Sequence, residues 1–157
     1  MQLAVTATLE QPPENEGSVN RVLFLVIAIL AIVGIAVSAV SLQRHYAKSA
    51  TRFCDLGERF NCDIVNRSEY SSVMGIPVAG IGVAGYAVLL ALATHYRSRR
   101  EAPLRLLVAA LVGSSFALYL TYVEAYKLDT WCILCLISLG AIASITLLAG
   151  VLKARTS

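Results

Sequence analysis

Four long apolar runs divide the chain, at about residues 22–42, 74–95, 103–122 and 131–152, with polar segments between them. Each is close to the ~20 residues that carry a helix across ~30 Å of hydrocarbon. None alternates apolar and polar positions as a membrane barrel strand does, so helices are the elements that satisfy the backbone in lipid. The pattern predicts an all-α integral membrane protein, a four-transmembrane-helix bundle with a cysteine-bearing loop and a short interfacial helix between its first two spans. Asn66, with Glu69 three residues later, has the form of a capping box for that short helix over residues 68–73. Ahead of the first run, residues 1–20 hold Glu10, Glu14, Glu16 and Pro12-Pro13 without periodicity and read as a flexible tail, leaving residues 21–153 as the membrane domain. Ala36-Val37-Ser38 has small residues at signal-cleavage spacing. The leader is acidic, however, and the apolar core exceeds the roughly 7–15 residues of a signal peptide, which favours an uncleaved helix.

Composition agrees: the 157 residues are 57% hydrophobic and only 15% charged, too apolar for a soluble domain of this size. The net charge of +3 lies in loops rather than along one soluble face, and gives no footprint for nucleic acid. Arg97, Arg99, Arg100 and Arg105 form the tightest basic cluster, which the positive-inside rule places in the cytoplasm with Lys153 and Arg155. Both termini then lie inside, and residues 43–73 and 123–130 lie outside. The longer of these loops carries Arg44, Lys48, Arg52, Arg59 and Arg67, but four acids are interleaved with them. All four cysteines, Cys54, Cys62, Cys132 and Cys135, fall on the outer, oxidising face, where disulfide chemistry is favoured. In the second span Gly80, Gly82, Ala84 and Gly85 read as close-packing positions.

Cys132 and Cys135 form a CxxC pair at the start of the last apolar run. On a helix such positions share a face with β-carbons about 5–6 Å apart, within reach of a disulfide. Two other readings compete: small packing residues, or half of a zinc site. The wide spacing of Cys54 and Cys62 makes a poor second zinc knuckle, and an oxidising compartment favours disulfides over thiolate ligands. With Thr130 or Asp129 as N-cap, Cys132 lies in the first helical turn, where free N–H groups and the dipole favour a thiolate. Cys135 lies deeper, in a drier setting. The outer sulfur is thus suited to exchange with another thiol and the inner one to meeting a lipid-soluble oxidant. Glu124 reads as a solvated charge, and His45 and His95 as single histidines without a metal role.

Cys54-Asp55, Cys62-Asp63-Ile64-Val65 with Ser68, Gly75-Ile76-Pro77-Val78 and Trp131-Cys132-Ile133-Leu134-Cys135 together resemble the vitamin K epoxide reductase family, most of all its bacterial members. The resemblance runs over about residues 22–152. It implies a four-helix bundle around a quinone in a bacterial cytoplasmic membrane, and a relay of disulfide exchanges. Cys54 takes electrons from a reduced periplasmic thioredoxin-like protein, Cys62 passes them to Cys132, and Cys135 faces and reduces the quinone. Ser68 matches the family's serine over the site. No thioredoxin-like domain accompanies the bundle in this sequence, so a separate protein is the expected partner. The animal enzymes carry an asparagine in the second span, which is absent from residues 74–95. Ubiquinone or menaquinone is therefore the expected acceptor rather than vitamin K epoxide. Tyr119, Tyr122 and Tyr126 belong first to an aromatic belt; the first two are also candidates to hydrogen-bond the quinone, and Trp131 to roof its pocket.

The rival class is a four-span structural protein whose outer loop is stapled by Cys54–Cys62; it leaves Cys132 and Cys135 incidental. Transport would call for ionisable residues within the spans. The first run has none, and the charges of the others sit near their ends.

Overall fold

Helix α1 (Glu14–Tyr46) meets no proline after Pro13 until Pro77, so its apolar stretch runs without a breaker. The computed structural model describes residues 14–47, 57 and 59–157. Then follow α2 (Cys62–Arg67), a 3-10 turn (Glu69–Ser71), a hairpin of β1 (Ser72–Val73) and β2 (Ile76–Pro77), α3 (Val78–Thr94), α4 (Ala102–Val123), a π-helical turn (Glu124–Leu128) and α5 (Ile133–Thr156). Three helical segments, Gly17–Tyr46, Ala102–Leu128 and Ile133–Thr156, are long and apolar enough to cross a membrane. This makes the protein an all-α, multi-pass membrane protein. The fourth apolar helix, α3, has 17 residues, about 25 Å at 1.5 Å per residue, which is shorter than the hydrocarbon core.

Several expected boundaries move. Helix α1 begins at Glu14, so residues 14–20, expected in a flexible tail, are helical. The second apolar run starts its helix at Val78 rather than at residue 74, because Ser72–Val73 and Ile76–Pro77 pair antiparallel first. Met74 (φ 54°) and Gly75 (φ 82°) turn that hairpin with the two positive φ values of a tight β-turn. The short helix expected over residues 68–73 lies instead at Cys62–Arg67, and its cap is Asn61. The Asn61 side chain accepts from the N–H of Asp63 (3.1 Å) and of Ile64 (3.2 Å), ahead of the Asn66–Glu69 pattern in the chain. Asn66 is instead committed inside α2, its Nδ2 donating to the Cys62 carbonyl at 2.9 Å.

Helix α1 packs along α3 and α5, and α4 packs along α5. Their shared core is built from Ile27 and Ala31, Leu89, Leu106 and Ala110, and Ile145, Ala149 and Leu152. Lipid tails are as apolar as leucine, so close approach and interhelical hydrogen bonds hold such helices together. Gly34 accepts the Tyr86 ring and Gly113 the Ile142 side chain, and Ser114 and Thr146 hydroxyls meet at 2.7 Å across α4 and α5. Of the glycines expected to thin α3, Gly82 lies tight against Ser38, while Gly85 has no neighbour where a Cβ would stand. The helices part around that open side, leaving a cavity between α1, α3, α4 and α5 at the end of the bundle that α2 covers.

Candidate active site

The connection ahead of α2 is tied to the CxxC by backbone pairing. Trp131 N–H donates to the Arg59 carbonyl at 2.8 Å, Asn61 N–H donates to the Trp131 carbonyl at 3.2 Å, and Phe60 and Trp131 form a parallel bridge. Asn61 then starts α2 at once, which sets Cys62 directly beside Cys132. Both cysteines are fully buried and cluster with Val65, with Leu128, Ile133, Leu134 and Cys135 packed around them. Cys62 is disulfide-bonded and its partner lies outside the described residues, as does Cys54. Cys132 and Cys135 are free thiols.

Helix α5 begins at Ile133, two residues after the expected start, so Cys132 is its N-cap (φ −109°, ψ 116°) and neither Thr130 nor Asp129 caps it. The cause lies upstream. The π turn ends with Asp129 in the left-handed region (φ 46°), where its N–H returns to the Glu124 carbonyl, and the chain must then extend through Trp131 to pair with Arg59 and Asn61. The Cys132 carbonyl accepts the Leu136 N–H at 3.0 Å, and Asn66 Nδ2 approaches its sulfur at 4.0 Å. The Cys135 thiol, aimed at the Cys132 sulfur, draws the Cys132 pKa below the ordinary thiol value; the N–H groups of Cys135 and Leu134 add to this against burial and the Glu124 charge. Cys132 thus stands at an N-cap rather than in the first turn, and its lowered pKa comes chiefly from the Cys135 thiol.

Glu124 corrects the sequence reading most sharply. It is not a solvated charge: it is 2% exposed, its Oε2 accepts the Cys132 N–H at 3.2 Å, and its carboxylate faces the Cys135 thiol. A glutamate within a helix can do this for its own N-cap in a capping box; here it comes from the preceding element. The π turn, with its wider ring, carries Glu124 on the inner side and leaves Tyr126 and Lys127 exposed.

The cavity has a volume of about 560 Å³, within the range of small-molecule sites. Its walls are chiefly apolar, from Val37, Val78, Leu89, Phe116 and Ile142, with Cys135, Glu124, His45, Tyr86 and Ser138 as polar points. Tyr86 donates its hydroxyl to the Ser138 carbonyl at 2.7 Å, and His45 Nδ1 donates to the Asn66 carbonyl at 2.6 Å. A flat, apolar ring fits such a lining: hydrocarbon walls, a few hydroxyl and imidazole groups, and a thiol at the wall. Ser68 lines the cavity near its α2 end, with its Oγ donating to the Val65 carbonyl at 2.9 Å. Trp131 lies outside the lining and is held in the backbone bridge. Tyr119 and Tyr122 are more than half exposed, on the outer surface of α4 and away from the cavity, and Tyr122 stacks with Tyr126 at 4.8 Å. Among the sequence candidates the fold thus unites Cys62, Cys132, Cys135 and Ser68, and leaves the tyrosines in an aromatic belt. Glu124, read as a solvated charge, His45, read as a single histidine, and Asn66, read as a helix cap, join them, as does Tyr86, which was not singled out. Only Glu124 offered a signal, as an acid at the end of an apolar span close to a CxxC.

The model of the vitamin K epoxide reductase family matches residues 25–150, most of the chain, from within α1 to within α5.

Proposed function

The chain belongs to the vitamin K epoxide reductase family, a family of membrane oxidoreductases, and from that premise we propose that it is a quinone-coupled generator of disulfides. The observation that carries the reading is the burial of Cys62 against Cys132 while Cys135, beside Cys132, opens onto an apolar cavity. A reduced periplasmic thioredoxin-like protein gives two electrons to the Cys54–Cys62 disulfide and leaves as a disulfide itself. Cys62 then attacks the Cys132–Cys135 disulfide at Cys132, and the mixed disulfide is resolved by Cys54, which returns the loop pair to its oxidised form. The pattern of an oxidised Cys62 and free Cys132 and Cys135 corresponds to the stage at which the inner pair holds the electrons. A bound quinone supplies the two-electron sink. Cys135 stands at its cavity, Tyr86, Ser138, His45 and Ser68 supply polar contacts, and the apolar walls exclude water from the exchange. Ubiquinone or menaquinone is the acceptor.

In this reading α3 spans the bilayer as the fourth helix, together with the hairpin ahead of it. The Arg97–Arg105 cluster lies on the cytoplasmic side of a bacterial inner membrane, and all four cysteines lie on the outer side.

The test is quinone reduction by the purified protein with a reduced thioredoxin-like donor, comparing ubiquinone, menaquinone and vitamin K epoxide. Donor-dependent reduction of a respiratory quinone, lost to background in Cys132→Ala and in Cys135→Ala, is the expected result. Donor oxidation at the unmodified rate in both variants would end the reading.

A further inference from the structure

Glu124 is an expensive residue where it stands. It is 2% exposed, and among the described residues lining the cavity it opens onto there is no lysine or arginine; the titratable groups there are Cys135, His45, Tyr70 and Tyr86. Removing a carboxylate from water without a cationic partner is strongly unfavourable. One backbone N–H at 3.2 Å, from Cys132, is a small return for that, and an ionisable group within a membrane bundle points to function. Among the described residues, the other group its carboxylate faces is the Cys135 thiol.

We propose that Glu124 is the proton acceptor of the inner cysteine, taking the Cys135 thiol proton as the Cys132–Cys135 disulfide forms and handing it into the cavity. This rests on the quinone-coupled reading and assigns a part that the four cysteines cannot fill. Closing the disulfide forms the Cys132 Sγ–Cys135 Sγ bond and breaks the Cys135 S–H bond. Two electrons pass to the quinone, which becomes a quinol by gaining two protons. Cys132 enters the step as the thiolate and must end bonded to Cys135 through its sulfur, so it cannot retain the Cys135 proton. Glu124 faces that thiol and the cavity together, and its hold on the Cys132 N–H keeps its carboxylate beside the two cysteines. One of the quinol protons is the one Glu124 carries; the second comes from solvent. Positioned proton transfer of this kind contributes roughly 10²–10⁴-fold to a rate.

The experiment separates a base from a bystander by sign, and needs no quinone. In Cys132→Ser protein with the loop disulfide intact, Cys135 is the one reduced cysteine, and its alkylation by iodoacetamide is followed against pH by peptide mass. A carboxylate that only sits beside the thiol opposes thiolate formation, so Glu124→Gln would then alkylate as fast or faster. A carboxylate that accepts the proton makes Glu124→Gln slower, by about tenfold or more at neutral pH, with Glu124→Asp between the two. Glutamine keeps an oxygen for the Cys132 N–H, and a melting curve for each variant in detergent verifies the fold. Equal or faster alkylation in Glu124→Gln overturns the proposal even where the parent protein reduces quinone. A slow Glu124→Gln in a protein that reduces no quinone would leave the proton role standing and remove the acceptor.

Discussion

At the scale of single residues, the site depends on which atoms stand within a few ångströms, and two contacts decide most of it. The Glu124 carboxylate holds the Cys132 N–H, which keeps the N-cap sulfur beside Cys135. Deeper in the bundle, Tyr86 bridges α3 to the Ser138 carbonyl of α5 and presses its ring onto α1 where Gly34 leaves room. A Cβ on Gly34 would stand 2.3 Å from that ring, a distance no side chain tolerates, and Tyr86 is held by its hydrogen bond. Gly34→Ala should therefore destabilise the protein by about 1–3 kcal/mol, although alanine itself favours a helix by up to ~1 kcal/mol. Gly150→Ala, with nothing within 4 Å of the new atom, should be neutral or mildly stabilising. Thermal unfolding in detergent compares the two, and equal melting would refute the close Tyr86 contact. The cysteines themselves were legible as residues, because CxxC spacing is a local signal. Glu124 was not: it lies eight residues before Cys132, and only the π turn brings its side chain inward.

Elements place those residues through short, local devices. Asn61 caps α2 and so begins the helix at Cys62; the same residue's N–H ties the loop to Trp131. Asn61→Ala removes two side-chain hydrogen bonds from the helix start while sparing the backbone tie. The expected cost is about 1 kcal/mol, concentrated in α2, with faster amide exchange at Asp63 and Ile64 and slower electron transfer from a reduced donor to Cys132. Amide exchange by mass spectrometry and a quinone-free single-turnover exchange measure the two effects. Unchanged exchange in both would show that packing against Cys132, not the cap, sets the position of Cys62. The capping-box rule that picks Asn66 by its downstream Glu69 was outweighed by the bridge at residues 59–61, a pairing with a segment some seventy residues away. The N-cap of α5 shifted from Thr130 to Cys132, by two residues, for the same reason: the extended pairing of Trp131 delays the helix.

Over the whole molecule, four apolar helices surround the cavity under α2, and orientation in the membrane decides which solvent the thiols meet. With every native cysteine replaced by serine, a cysteine at Ser98 should resist a membrane-impermeant maleimide in intact cells, and one at the exposed Tyr70 should react. The reverse labelling would invert the topology and place the thiols in a reducing compartment. The apolar runs, their helical class, the basic cluster and the CxxC were determined by the sequence alone, because hydrophobic length, charge count and short spacing are properties of contiguous residues. The tertiary structure decided the rest: that Cys62 lies beside Cys132, that the cavity passes Tyr86 and Ser138 but not Tyr119 and Tyr122, that α3 starts only after a hairpin, and that Glu124 is buried against the thiols. Each of these depends on pairing or packing between segments distant along the chain. A helix face also becomes a wall or a lipid surface only when its neighbours are in place.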